Sequence, residues 1–304
     1  MKWSISTHNC VRRCQKQYFF SQRMASHSAK DTLRREAFIF KQLSSLDEWR
    51  GSLVHKALEK YLVPSLKQRQ LISLDELNEQ TVSLAKKQFE FSQQKKYRDP
   101  KITKTAAGDS YLALRNHEYG LEIPQISIDN LYKEIKHCYQ YLYSEKQFIE
   151  MLQKGNEYFE EYLINFKVHN CSVSAKLDLI MSYGRDKLYI IDWKISRSKT
   201  SDYSRQLNLY ALAVLDNWRW RKYKPEELLL IEANLLQGKI IEHYVNQENI
   251  NSIDNFIYQS ISQIKALSGD SKYNLDSLED YDYANSPLSC EYCNFQQMCV
   301  RLTS

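Results

Sequence analysis

Glycine and proline are scarce in this chain, seven and five among 304 residues. With 43% hydrophobic and 26% charged residues, that scarcity points to an ordinary folded soluble protein rich in helix. There is no internal repeat and no low-complexity tract. A run of eighteen apolar residues is also missing, which excludes a transmembrane helix. The N-terminal Met1-Lys2-Trp3-Ser4-Ile5-Ser6 lacks the apolar core of a signal peptide, so a cytoplasmic protein is expected. Charge of neither sign dominates: the net +5 suits a polyanionic partner without requiring one. The seven cysteines do not come in an even number. In a chain of this size and expected compartment, that argues against a disulfide framework and for metal or cluster ligation.

What is present centres on Leu188-Tyr189-Ile190-Ile191-Asp192-Trp193-Lys194. Its apolar start reads as a buried strand, entered through the turn Tyr183-Gly184-Arg185-Asp186. Side chains alternate along a strand, so Asp192 and Lys194 share a face. Just upstream, Ser174 to Ile180 reads as a partner strand carrying Asp178. A hairpin would bring Asp178, Asp192 and Lys194 together. Two carboxylates able to hold Mg²⁺ or Mn²⁺ beside a cation form a plausible phosphodiester-cleaving centre.

Around this core the sequence predicts mostly helices. A short N-terminal one begins near Ser6-Thr7. A second opens at Asp47, with Leu53, Ala57, Leu58, Tyr61 and Leu62 on one stripe and His55 and Glu59 sharing another, before Pro64 breaks or bends it. Further helices are expected over about 74–91, 129–153, 157–163, 201–215 and 247–267. Strands are expected over 227–234 and 239–245, joined through Gln237-Gly238. Residues 93–126, long and poorly periodic, read as a lid, a mobile insertion or an irregular connector. A polar linker from Asp276 to Tyr283 precedes a tail with three cysteines.

The order Gly51-x-x-x-His55, Asp178, Asp192-Trp193-Lys194, Gln206-x-x-x-Tyr210 resembles the RecB-like branch of the PD-(D/E)XK nucleases. That branch includes the nuclease domains of the AddAB helicase-nuclease and the CRISPR adaptation nucleases. Each motif alone is weak; together, in order, they are specific. The resemblance implies an α/β fold with a restriction-endonuclease-like core, a mixed central sheet flanked by helices. It implies one nuclease domain over 1–304, a helical insertion over 64–165, and a C-terminal cysteine segment, 284–304, pairing with the Cys14 region. Metal-dependent hydrolysis of DNA is implied, exonucleolytic on single strands or frayed ends, in repair, recombination or antiviral defence. A helicase or a CRISPR adaptation protein is the implied partner. The rival is a non-catalytic DNA-binding module of a larger complex, although every expected catalytic position is filled.

By the family pattern, Asp178, Asp192 and His55 would hold the divalent ion, with the backbone carbonyl of Trp193 as a further oxygen. Lys194 would orient or help deprotonate the attacking water. Gln206 and Tyr210, one helical turn apart, would bind DNA or support these groups. Blander readings stand beside each: His55 half-buried against the sheet, Glu59 as an exposed helix glutamate or an extra carboxylate, Gln206 and Tyr210 as ordinary polar positions. The carboxylates could instead pair with Lys176 or Lys194.

Cys290-x-x-Cys293-x₅-Cys299, with Cys14 near the start, supplies four thiolates, the number a [4Fe–4S] cluster requires. The iron–sulfur members of the same branch place one cysteine before the nuclease motifs and three after. Cys14 is preferred to Cys10 because an aromatic pair follows it, though Gln15 stands where family members commonly have proline. A structural zinc ion is the alternative, and Cys138 and Cys171 are expected to be buried thiols. Two basic stretches, Trp218 to Lys224 and Lys95 to Lys104, either guide nucleic acid or are merely solvated.

Overall fold

The strands form where leucine, β-branched and aromatic residues concentrate, and the helices where apolar residues recur every three or four positions. The computed structural model describes residues 2–184, 186–198, 203–268 and 277–303. The chain divides into two compact units, each assembled from separate stretches. The first comprises Met1–Ser45, Lys87–Glu122 and Tyr258–Ser304; the second comprises Leu46–Lys86 and Ile123–Ile257.

The first unit opens with a two-residue strand, β1 (Lys2–Trp3), and the helix Ile5–Arg13, where Ser4 Oγ accepts the Thr7 N–H at 3.2 Å. Cys14 ends this helix and caps the next short one, Gln15–Tyr18. Tyr18, Phe19 and Phe20 then enter an aromatic core shared with Tyr281 and Phe295, the Phe20 and Phe295 rings stacking at 5.6 Å. Lys16 donates to the Leu278 carbonyl at 2.9 Å, and Asn294 to that of Leu43 at 2.7 Å. Residues distant in sequence are thereby fixed together inside this unit. The stretch 93–126, expected as a lid or connector, is a packed connector. Tyr97 and Leu112 to Leu114 are buried, and Tyr97 and Arg98 both hydrogen-bond the buried Glu118 carboxylate. Arg98 and Tyr97 hold that carboxylate below its ordinary pKa, more than offsetting the upward pull of burial.

The second unit carries a mixed sheet flanked by helices. Its strands are β2 (Glu157–Val168), β3 (Cys171–Tyr183), β4 (Lys187–Lys194), β5 (Leu228–Asn234) and β6 (Lys239–Tyr244). Antiparallel pairing links β2 to β3, β3 to β4 and β5 to β6, whereas β4 and β5 run parallel. Two consecutive left-handed residues, His169 and Asn170, turn β2 into β3. The helix Ser204–Asp216 lies across β2 to β5, presenting Leu207, Tyr210, Ala211 and Val214. Its expected start at Ser201 lies outside the described residues, as do Arg185 of the turn before β4 and Asp276 of the linker. Among the described residues no helix is long and apolar enough to cross a membrane.

Several expectations need correction. Residues 157–163, expected as a helix closing the 64–165 insertion, begin β2 instead. Their glutamates and aromatics fit either period, and the ladder to β3 decides: Tyr158, Ile164, Phe166 and Val168 are buried on alternate positions. The helix expected over 129–153 is two, Gln125–Ser144 and Lys146–Gln153, because Glu145 leaves helical geometry at ψ 70°. Pro64 does not end its helix. The chain widens into π turns at Leu58–Leu62 and resumes as an α-helix with Pro64 in its first turn, where no N–H is needed.

Candidate active site

Register brings the first two carboxylates together. Leu179 pairs with Ile191, so one step further Asp178 stands across from Asp192. The Trp193 N–H, which would continue that ladder, donates instead to Asp178 Oδ2 at 2.8 Å. The helix Leu46–Ala57 supplies His55, whose Nδ1 lies 3.5 Å from the same oxygen. Gly51 lies one turn earlier, where a Cβ would meet that of Ile195 at 4.0 Å, an ordinary contact. His55, Asp178, Asp192, Trp193, Lys194 and Gln206 all line one cavity of 520 Å³.

Lys194 sits at the centre of a second set of contacts. Its Nζ is 2.6 Å from Asp192 Oδ2 and donates to Gln206 Oε1 at 2.9 Å; Gln206 Nε2 donates to the Tyr210 hydroxyl at 2.5 Å. The ammonium also lies over the Tyr203 ring at 4.5 Å. Asp192 Oδ2, on a side chain only 1% exposed, thus has the Lys194 ammonium as its ion-pair partner and makes no further hydrogen bond. A buried carboxylate beside a second one is costly unless cations balance both.

The electrostatics point the same way. Burial pushes the Asp192 carboxyl up to about 7, with the neighbouring Asp178 charge adding and Lys194 only partly offsetting. Asp178 moves oppositely: burial would raise it, but the His55 hydrogen bond and charge and the Trp193 N–H lower it. Burial alone would lower His55; the Asp178 hydrogen bond and the surrounding carboxylates raise it instead. Two carboxylates, one stabilised as an anion and one strained as an anion, face one cavity and fit a divalent cation.

Sequence reading missed Glu161 on β2. One of its oxygens, a His55 nitrogen and an Asp178 oxygen lie within 4.8 Å of one another, a set able to hold a metal ion. Glu59, the extra carboxylate considered from sequence, pairs with Lys56 at 2.7 Å instead. Also missed were two arginines lining the cavity. Arg50 binds Asp47 and Glu134 at 2.6 Å each, and Arg197 binds the same two carboxylates, Asp47 at 2.7 Å. Neither belongs to a spaced motif, so no sequence signal marked them.

A profile of the PD-(D/E)XK nuclease superfamily matches residues 2–300. The chain belongs to the PD-(D/E)XK nuclease superfamily. Its mixed sheet and flanking helices are thus the restriction-endonuclease-like core, and the His55–Glu161–Asp178 set offers donor atoms for the divalent metal that such nucleases use. No curated protein matches significantly. Solved structures with similarity include that of SSO0001, at 19% identity over 62% of this chain and 80% of that one, with a TM-score of 0.29. A candidate exonuclease from Eubacterium rectale is 10% identical over 91% of this chain and 98% of that one, at a TM-score of 0.36. Likenesses this distant carry no argument about substrate.

The nuclease's cysteines separate into groups. Cys14, Cys290, Cys293 and Cys299 line one cavity of 140 Å³ in the first unit. Cys10 faces Ser21 at 3.8 Å, and Cys138 and Cys171 are buried. Backbone N–H groups of Gln17 and Phe295 point at the sulfurs of Cys14 and Cys293, each at 3.4 Å. Burial, followed by the neighbouring thiols, pushes Cys293 up to about 11 against the pull of the Phe295 N–H. The basic stretches divide too. Trp220 is buried against Phe159 and Tyr162, while Trp218 is exposed beside Arg219. Lys95 and Arg98 are engaged with Glu118.

Proposed function

We propose that this nuclease is a Mg²⁺- or Mn²⁺-dependent deoxyribonuclease, acting exonucleolytically on single strands or frayed duplex ends. The observation that carries the reading is the buried Asp192 carboxylate facing the same cavity as Asp178, His55 and Lys194. Asp178, Asp192 and His55 would hold the ion, with the Trp193 carbonyl within the same wall. A divalent ion bound there supplies Lewis acidity to the phosphate and makes water more acidic. The remaining chemistry belongs to the chain. Gln206, itself fixed by Tyr210, holds the Lys194 ammonium where it orients water and offsets charge on the phosphate.

Cys14, Cys290, Cys293 and Cys299 are proposed to hold a [4Fe–4S] cluster with a structural role. Their shared cavity and the backbone N–H groups aimed at two sulfurs support this. A structural zinc ion held by the same four thiolates is the alternative. A cytoplasmic role in repair, recombination or antiviral defence, with a helicase or CRISPR adaptation partner, fits the resemblance of its motifs.

Digestion of end-labelled single-stranded, duplex and circular DNA with Mn²⁺ tests the activity. Linear strands should shorten from an end while circles persist. Lys194→Ala should lower the rate by about 10²- to 10⁴-fold and leave DNA binding intact. Undiminished cleavage by both Lys194→Ala and Asp178→Ala would remove the assignment. DNA binding without any cleavage by the wild type would favour a non-catalytic module.

A further inference from the structure

The residue that stands out near the site is Glu161. It lies inside β2, yet its φ is +49°, in the left-handed region that side chains other than glycine rarely adopt. Glu160 pairs with Leu179 and Tyr162 with Leu177, so Glu161 and Asp178 stand opposite each other without closing a pair. The break does not shift the register, because the pairing on either side follows one alignment. Its effect is confined to aiming one side chain. That side chain carries an oxygen within 4.8 Å of ligand atoms on both His55 and Asp178.

We propose that Glu161 is a further ligand of the divalent ion, supplied by a strand residue held left-handed for that purpose. The inference rests on the metal-dependent reading above. Ligand atoms around one octahedral ion with bonds of about 2.1 Å lie about 3 to 4.2 Å apart, close to the spacing seen without the ion. An independent observation supports a cation here: the Asp192 carboxylate, on a side chain 1% exposed and with the Lys194 ammonium but no further hydrogen-bond donor against its Oδ2, faces the cavity that His55 and Asp178 also line. With Glu161 the site offers three carboxylates and one imidazole, a donor set suited to a hard, oxygen-seeking ion such as Mn²⁺ or Mg²⁺.

The competing account is that Glu161 serves only its ion pair with Lys176. Lys176 is 60% exposed, and an ion pair with so exposed a partner contributes little. Such a pair gives no reason to hold a strand residue in a disfavoured conformation. If Glu161 is a ligand, Lys176 is a stand-in cation that the metal would replace.

Mn²⁺ binding to the full-length protein, followed by the electron paramagnetic resonance of the free ion, separates these accounts. The variants are Glu161→Gln, Glu161→Gly, Lys176→Met and Asp178→Asn, with circular dichroism as a check on folding. Glu161→Gln should weaken Mn²⁺ binding by about tenfold or more while the protein stays folded. Glu161→Gly should weaken it as much and raise the unfolding temperature of the metal-free protein, because glycine accepts the backbone conformation. Lys176→Met should bind Mn²⁺ as well as the wild type or better. Wild-type affinity in Glu161→Gln or Glu161→Gly overturns the inference, as does an equal loss in Lys176→Met. If Asp178→Asn loses the ion and Glu161→Gln does not, only this inference falls. If Asp178→Asn binds as the wild type does, the metal centre itself is misplaced.

Discussion

Asp192 bears the main electrostatic cost of the site, being buried beside another carboxylate with the Lys194 ammonium only partly offsetting. Because its folded carboxyl is raised to about 7, the folded state binds a proton that the unfolded chain has already lost. The stabilising effect of that proton is complete below the unfolded value and vanishes as pH rises through about 7. Metal-free protein should therefore lose stability from about pH 4 to about pH 7, to an extent that Asp192→Asn abolishes, as urea titration at each pH would show. Mn²⁺ competes with the same proton, so its affinity should rise over that range. A flat profile for both quantities would mean that Asp192 is not the strained carboxylate described. Asp178 differs because the His55 contact and the Trp193 N–H already stabilise its charge.

At the scale of elements, β3 and β4 were legible from sequence because each joins a short apolar run to a turn signal. Their hairpin then fixed the positions of Asp178 and Asp192. The helix carrying Gln206 and Tyr210 was legible from its apolar stripe. β2 was not: Glu157 to Leu163 satisfies a helical stripe as well as alternation, and only pairing with β3 chooses. Glu161 was hidden twice, first inside that misread segment and then by a backbone conformation that residue type does not announce. Glu59, left open between two readings by sequence, lies within the π turns at Leu58–Leu62 and pairs with Lys56. The helix Leu46–Ala57 offers a direct test at this scale. A Cβ at Gly51 meets only ordinary contact with Ile195, so Gly51→Ala should stabilise the protein by up to about 1 kcal/mol. Gly51→Leu should constrict the cavity and lower activity. Melting curves and turnover measured side by side check both, and destabilisation by Gly51→Ala would contradict the described approach of the helix.

For the whole molecule, the two units divide the work: the second carries the cavity of His55, Asp178 and Asp192, and the first gathers the four cysteines. A cluster there would hold segments near both ends of the sequence in one place. Cys290→Ser should therefore abolish a brown absorbance near about 400 nm. It should also speed amide exchange in residues 14–24 and 287–303, leaving β3 and β4 protected. Colourless wild-type protein that lacks iron when prepared without oxygen would end the cluster proposal without touching the nuclease centre. That centre is tested most directly by anomalous diffraction from crystals soaked in Mn²⁺. One strong peak within bonding distance of His55, Asp178 and Asp192 is the result predicted. Bound Mn²⁺ elsewhere, with that cavity empty in crystals of protein that cleaves DNA, would contradict it.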